Sequence, residues 1–303
     1  MNSKKVLTTF LLFSTVFAIG QTSFDGFFPK KGKLSLTTSY TRTSYDEFYV
    51  GKEITSPVPA HNEVNQNIYT LYGTYAVSDN LGIIVNFPYF AAEGDGEPDP
   101  INGKTEQNDI QDINIYGKYR FAQSKFNGGS VDYLTALGFT LPTGYQSNGI
   151  LSIGSGSFNT NLHAGAQLNT NLGLFASVLA GYSLRGEADD DFGTNGGEDF
   201  DVPDAFLFTG KIGYATSNFY VDGYVNYQAS TDGWDLTDPN FGGRFPESKV
   251  SYTLLGISAY VPVTQLIGVS AGYGTVIDGR NIGDTNFFNF GLTFNIHTAS
   301  KLQ

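Results

Sequence analysis

Three groups of residues in this 303-residue chain could do chemistry. The first is histidine, present three times as His61, His163 and His297. A histidine beside a serine can act as general base in nucleophilic hydrolysis, but a triad needs a geometry that spacing alone does not supply. The second is the acidic, glycine-rich stretch 187–201, where Asp189, Asp191, Glu198, Asp199 and Asp201 could offer oxygen ligands to calcium. It lacks the ligand order of an EF-hand loop. Its default reading is a solvated, self-repelling loop with no metal. The third is DINIYGKYRF, Asp112 to Phe121. Here Asp112, Asn114, Tyr116, Lys118 and Arg120 alternate with Ile113, Ile115, Gly117, Tyr119 and Phe121. A period of two is a β-strand with one polar and one apolar face. It leaves open which face is inside. In a soluble sandwich the apolar face packs a core; in a membrane barrel it meets lipid, and the polar face lines a lumen.

Composition narrows the choice. The chain has no cysteine, which excludes a disulfide framework and thiolate metal sites. The net charge is −12, and a nucleic-acid partner is excluded as a reading. Lys4 and Lys5, the mostly apolar run from Val6 to Ala18, and the small-x-small step Ala18-Ile19-Gly20 predict a signal peptide over residues 1–20. Without those two lysines the charge falls to about −14. No later stretch is long and apolar enough for a transmembrane helix. The 19 tyrosines, 25 phenylalanines and 37 glycines point instead to strands with aromatic belts at their ends.

The elements that must carry the polar residues recur along the whole chain. Alternating segments fall at 33–45, 66–77, 81–92, 110–122, 131–142, 157–168, 172–185, 204–215, 218–230, 249–261, 265–277 and 285–297. Short connections alternate with long ones, although 123–130 reads as somewhat longer than the other short ones. That alternation is the pattern of an outer-membrane barrel, with periplasmic turns and external loops. A charge on the lipid face costs roughly 2–4 kcal/mol for Lys or Arg, so Lys118, Arg120, Lys211 and Asp222 should face inward. The expected lumen lining is Asp112, Asn114, Tyr116, Lys118, Arg120, Asp132, Asn161, His163, Gln167, Arg185, Lys211, Asp222, Tyr224 and Asn226. The facing of strands 66–77 and 249–261 is less clean. Residues 21–32, with Phe24, Phe27 and Phe28, are a periplasmic lead-in or a small plug.

The middle of the chain also resembles a known family. Gln111-Asp112-Ile113, Gly117-Lys118-Tyr119-Arg120-Phe121, FTLPTG at 139–144 and Gly154-Ser155-Gly156-Ser157 are similar to the pattern of the phenol-degradation (MetA-pathway) outer-membrane family. The resemblance is clearest over about 66–185. Gln111 stands where the family usually has glycine, and Tyr145 follows LPTG where an acid is frequent. The resemblance implies a barrel that passes hydrophobic or aromatic compounds. Physically, Pro142 and Gly144 end a strand and open a turn.

The sequence therefore predicts an all-β, antiparallel transmembrane barrel of about 12 strands over 33–297, with a tail at 298–303. Three readings of its role stand. One is a channel for small hydrophobic or aromatic compounds. Another is a non-transporting structural or adhesive barrel acting through its acidic loops. The third is a lipid hydrolase; the His-x-Ser-Asn-Gly signature of the outer-membrane phospholipase is missing. No enzyme activity and no cofactor are assigned. The expected partners are outer-membrane lipid, lipopolysaccharide (divalent ions could bridge its phosphates to the acidic loop) and a small amphiphilic or aromatic solute.

Overall fold

Twelve long strands close on themselves. The computed structural model describes residues 25–297. The predicted signal peptide, the start of the lead-in and the C-terminal tail lie outside those residues. In chain order the barrel strands are β1 Lys33–Tyr45, β2 Val64–Ser78, β3 Leu81–Gly94, β4 Ile113–Phe126, β5 Gly129–Leu141 and β6 Asn159–Thr170. They continue as β7 Leu174–Arg185, β8 Ala205–Ala215, β9 Tyr220–Ser230, β10 Ser251–Pro262, β11 Ile267–Arg280 and β12 Asn286–His297. Every neighbouring pair is antiparallel. Closure comes from β1, which pairs with β2 on one side and β12 on the other. A closed barrel leaves no open sheet edge, which a membrane requires.

The two faces separate by polarity. Ile115, Tyr119, Leu137, Val178, Phe206, Ile212, Phe288 and Phe290 are all exposed on the outer wall. Lys118, Asp132, Gln167, Lys211 and Asp222 are buried inside. A polar interior within an apolar skin suits hydrocarbon outside, not a water-exposed sandwich. The two strands of uncertain facing follow suit. On β2, Tyr69, Leu71 and Tyr75 point out while Tyr72 and Thr74 are buried; on β10, Leu255 and Ile257 point out and Tyr260 is buried.

One end carries tight turns and the other long, folded loops. The turn Asn127-Gly128 joins β4 to β5, and Gly128 has a φ of 108°. Asn-Gly suits such a two-residue hairpin because the tight turn needs positive φ. The expected longer connection at 123–130 is thus corrected. Polar Gln123, Ser124 and Lys125 read as loop, yet they continue the strand pairing to Phe126. At the opposite end a hairpin, Phe48–Val50 with Glu53–Thr55, fills the first loop. Glu106–Ile110 extends the sheet beside β3. Two buried asparagines knit the loops together. Asn148 receives Asn102 at its backbone oxygen, donates to Thr194 and accepts from the Phe245 N–H. Asn281 accepts from the Gly51 N–H at 2.7 Å and donates to the Lys249 carbonyl at 2.9 Å.

Candidate functional site

The lumen divides into three levels. At the turn end, residues Asp25 to Pro29 lie inside the barrel. Lys118 on β4 donates to the Asp25 carbonyl at 2.9 Å, to Asp25 Oδ1 at 3.2 Å and to the Phe27 carbonyl at 2.9 Å. The Gly26 N–H donates to Gln167 Oε1 at 2.5 Å. A Cβ on Gly26 would sit 2.5 Å from the Gln167 Cβ, so only glycine fits this approach. Phe27 meets Phe175 edge-on, with ring centroids 5.1 Å apart, and packs with Tyr220 and Tyr260. The Lys118 ammonium lies 4.6 Å from the Phe28 ring centroid and the Arg120 guanidinium 5.2 Å from it, a cation–π arrangement.

Around this segment the inward charges are paired. Lys211 Nζ lies 4.0 Å from Asp222 Oδ2, and both side chains are fully buried. Asp222 also accepts from Tyr220 Oη at 2.6 Å and Ser258 Oγ at 2.5 Å. Arg120 reaches Asp132 at 3.5 Å and Asn80 Oδ1 at 2.5 Å. Asp132 accepts further from Gln123 at 2.6 Å and Asn169 at 3.0 Å. The pairing slips by one residue between Arg120 and Ala122, a β-bulge at Phe121. The extra residue lets Arg120 and Gln123, three apart, both face inward toward Asp132.

Above the segment is a chamber of about 420 Å³. Tyr72, Tyr116, His163, Tyr224, Asn226 and Tyr252 help to line it, and among the described residues no Asp, Glu, Lys or Arg does. Tyr116 meets His163 edge-on at 6.2 Å. Thr209 Oγ1 donates to Asn226. Between β4 and β6, Asn161 donates to Thr140, which donates to Asn114. Above the chamber is a vestibule of about 510 Å³ within the loop end, and Tyr252 lines both spaces. Arg185 lines the vestibule.

Most of the expected lumen residues therefore face the lumen, at different levels. Asp112 departs from the expectation. It precedes β4, and its buried carboxylate clamps two loop segments. Oδ1 accepts from Tyr145 Oη at 2.8 Å, and Oδ2 from the Ser155 N–H and Oγ at 3.2 Å. Tyr145 Oη in turn accepts from the Gly156 N–H at 2.7 Å. The LPTG-Tyr and Gly-Ser-Gly-Ser motifs are thereby joined through Asp112. Burial pushes the Asp112 carboxyl above its usual range, and pushes the Tyr145 hydroxyl up as well, with the neighbouring Asp112 charge adding to it.

The acidic loop offers no assembled ion site. Asp189, Asp191, Glu198, Asp199 and Asp201 are all exposed, and among the described residues no three His, Asp or Glu converge on a metal position. Asp190 instead closes the loop, accepting from the N–H groups of Thr194, Asn195 and Gly197. His61 and Asp99 pair at 3.7 Å with both side chains fully buried among the loops, out of reach of a substrate. What sequence reasoning missed is the second partner at each charge: Asn80 at Arg120, Gln123 and Asn169 at Asp132, Ser258 at Asp222. The aromatic run after residue 23 was the signal for the lumen segment.

The fold and its polar, partly filled lumen define a membrane-type β-barrel. Among solved structures it is similar to an outer-membrane channel from Pseudomonas putida F1, with a TM-score of 0.72 and 12% identity over 91% of this chain and 100% of that one. Looser likenesses are to the NanC porin (TM-score 0.45, 12% identity, 87% of this chain and 100% of that one) and to the CymD monoaromatic hydrocarbon channel (TM-score 0.45, 9% identity, 89% and 90%). At these identities the likeness shows the fold. No family model and no curated protein matches the chain.

Proposed function

We propose that this protein is an outer-membrane channel for small hydrophobic or aromatic compounds, exported with a cleaved signal peptide. The observation that carries the reading is the pair of lumen cavities in series, walled by tyrosines and amides. Apolar walls with a few polar anchors suit an amphiphilic solute of modest size. The motif resemblance to the phenol-degradation family, and the fold shared with a bacterial outer-membrane channel, support the same direction. The tight turns would face the periplasm and the loops the exterior, next to lipopolysaccharide. The residues proposed to line the path are Asn114, Tyr116, Asn161, His163, Arg185, Tyr224 and Asn226. Lys118, Arg120, Asp132, Gln167, Lys211 and Asp222 stand at its turn end.

The test is reconstitution in liposomes and planar bilayers. The expected result is a small single-channel conductance, with swelling of liposomes in small aromatic solutes. The absence of both conductance and swelling would overturn the reading and leave the loops as the functional surface. The filled turn end favours that alternative, because Asp25 to Pro29 stand across the bore.

A further inference from the structure

Among the described residues, the vestibule holds one charged side chain. Arg185 ends β7 on its lumen side, and every other residue lining that cavity is uncharged. The other lumen cations contrast with it: Lys118, Arg120 and Lys211 each have a carboxylate within 4.0 Å. Arg185 belongs to none of the ion pairs among the described residues. Its Nη2 donates to Gln228 Oε1 at 3.2 Å, and its buried Nε has no hydrogen-bond partner. Asp204 is near in the fold but engaged elsewhere. It accepts from the Arg185 backbone N–H at 2.7 Å and from Tyr182 Oη at 3.0 Å.

A half-buried guanidinium without an ion-pair partner is costly to keep. The Asp204 carboxylate acts on it through space, yet no carboxylate comes within ion-pair distance of the guanidinium among the described residues. The guanidinium fork matches a carboxylate in two parallel hydrogen bonds. Around it, Tyr45, Phe48, Phe90, Phe245 and Tyr252 supply apolar wall. A single positive charge among apolar and amide groups fits a monoanion with an apolar body.

We propose that Arg185 is the anchor of a binding site for small carboxylates that carry an aromatic or aliphatic body. The proposal deepens the channel reading and rests on it for its purpose, but binding is measurable without transport. The ligand could come from solution as an aromatic acid or from lipid as a fatty acid; the carboxylate chemistry is shared.

The experiment titrates the full barrel, in neutral detergent, with benzoate, octanoate, benzyl alcohol and benzylamine by calorimetry. The wild-type protein should bind at least one of the two carboxylates about tenfold or more tightly than benzyl alcohol, and benzylamine least. Benzoate above octanoate assigns the soluble source, and the reverse assigns the lipid source. Arg185→Gln should remove the carboxylate preference while benzyl alcohol affinity holds, and Arg185→Lys should keep part of it. Equal wild-type affinity for the carboxylates and benzyl alcohol overturns the proposal, even if Arg185→Gln fails to fold. So does a preference that survives Arg185→Gln. Benzoate binding without liposome uptake would sink the channel and leave the site. Uptake of benzyl alcohol with no carboxylate preference would sink the site and leave the channel.

Discussion

Lys118 Nζ lies 2.9 Å from the backbone oxygen of Phe27, 91 residues earlier in the chain. With its two bonds to Asp25, this contact ties the barrel wall to the segment that fills its turn end. The lysine is buried, so its ammonium relies on these oxygens in place of water.

Loosening that tie should open the lumen. Lys118→Ala removes charge-assisted hydrogen bonds worth about 1.5–3 kcal/mol each. Amide exchange at Gly26 and Phe27 should then rise by about tenfold or more, and single-channel conductance should increase. Gly26→Leu should do the same by steric conflict with Gln167. Unchanged conductance in both variants would show that the segment does not limit the bore.

The lipid face gives a second expectation. Ile115→Arg puts a charge on the outer wall and should destabilise the barrel by roughly 2–4 kcal/mol in denaturant titrations in bilayers. Asn114→Arg, one residue earlier, points inward and should cost much less. Equal costs, or the opposite order, would invert the faces.

Arg120 and Asp132 lie 3.5 Å apart near the turn end. Charges lining a pore set its ion selectivity. Arg120→Ala should shift the reversal potential toward cations, and Asp132→Ala toward anions. A shift of the same sign in both would remove the pair from the ion path.

The loops should respond to acid through Asp99. Burial alone raises its carboxyl. The His61 ring 3.7 Å away and hydrogen bonds from the N–H groups of Ile150, Ile101 and Asn102 outweigh that and hold it below the usual range. A carboxyl held low in the folded state adds stability above its ordinary pKa of about 4. That contribution is lost as the pH falls through the lowered value. Exchange at the Ile150 and Asn102 amides, corrected for intrinsic rates, should therefore stay slow from neutral pH down to about 4 and speed up below it. Asp99→Asn should show the faster exchange already at neutral pH. A wild-type protein insensitive to acid would show that the Asp99 carboxylate does not hold these loops.

Much of the architecture is legible in the residues. Alternation along Asp112–Phe121 and its counterparts dictates strands, because successive side chains must take opposite faces. The cost of charge in lipid assigns Lys118, Arg120, Lys211 and Asp222 to the inside. Local pattern misreads where a strand outlasts its amphipathic stretch, as at Gln123 to Lys125, whose pairing partners are supplied by β5. It also misplaces Asp112, because a polar residue beside a strand looks the same whether it lines a bore or clamps a loop.

The sequence by itself determined the barrel, its approximate strand number and the inward face of most strands, with 66–77 and 249–261 left open, since period, turn chemistry and solvation energies act locally. Adjacent strands joined by a short turn already put Arg120 beside Asp132, but only the tertiary structure decided which inward groups meet from distant segments. Asp25 reaches Lys118 and Gly26 reaches Gln167 only because closure brings distant segments to one level of the lumen. The same closure leaves Arg185 facing a cavity with no carboxylate paired to it. Whether a charge is neutralised depends on spatial neighbours, which sequence spacing does not encode.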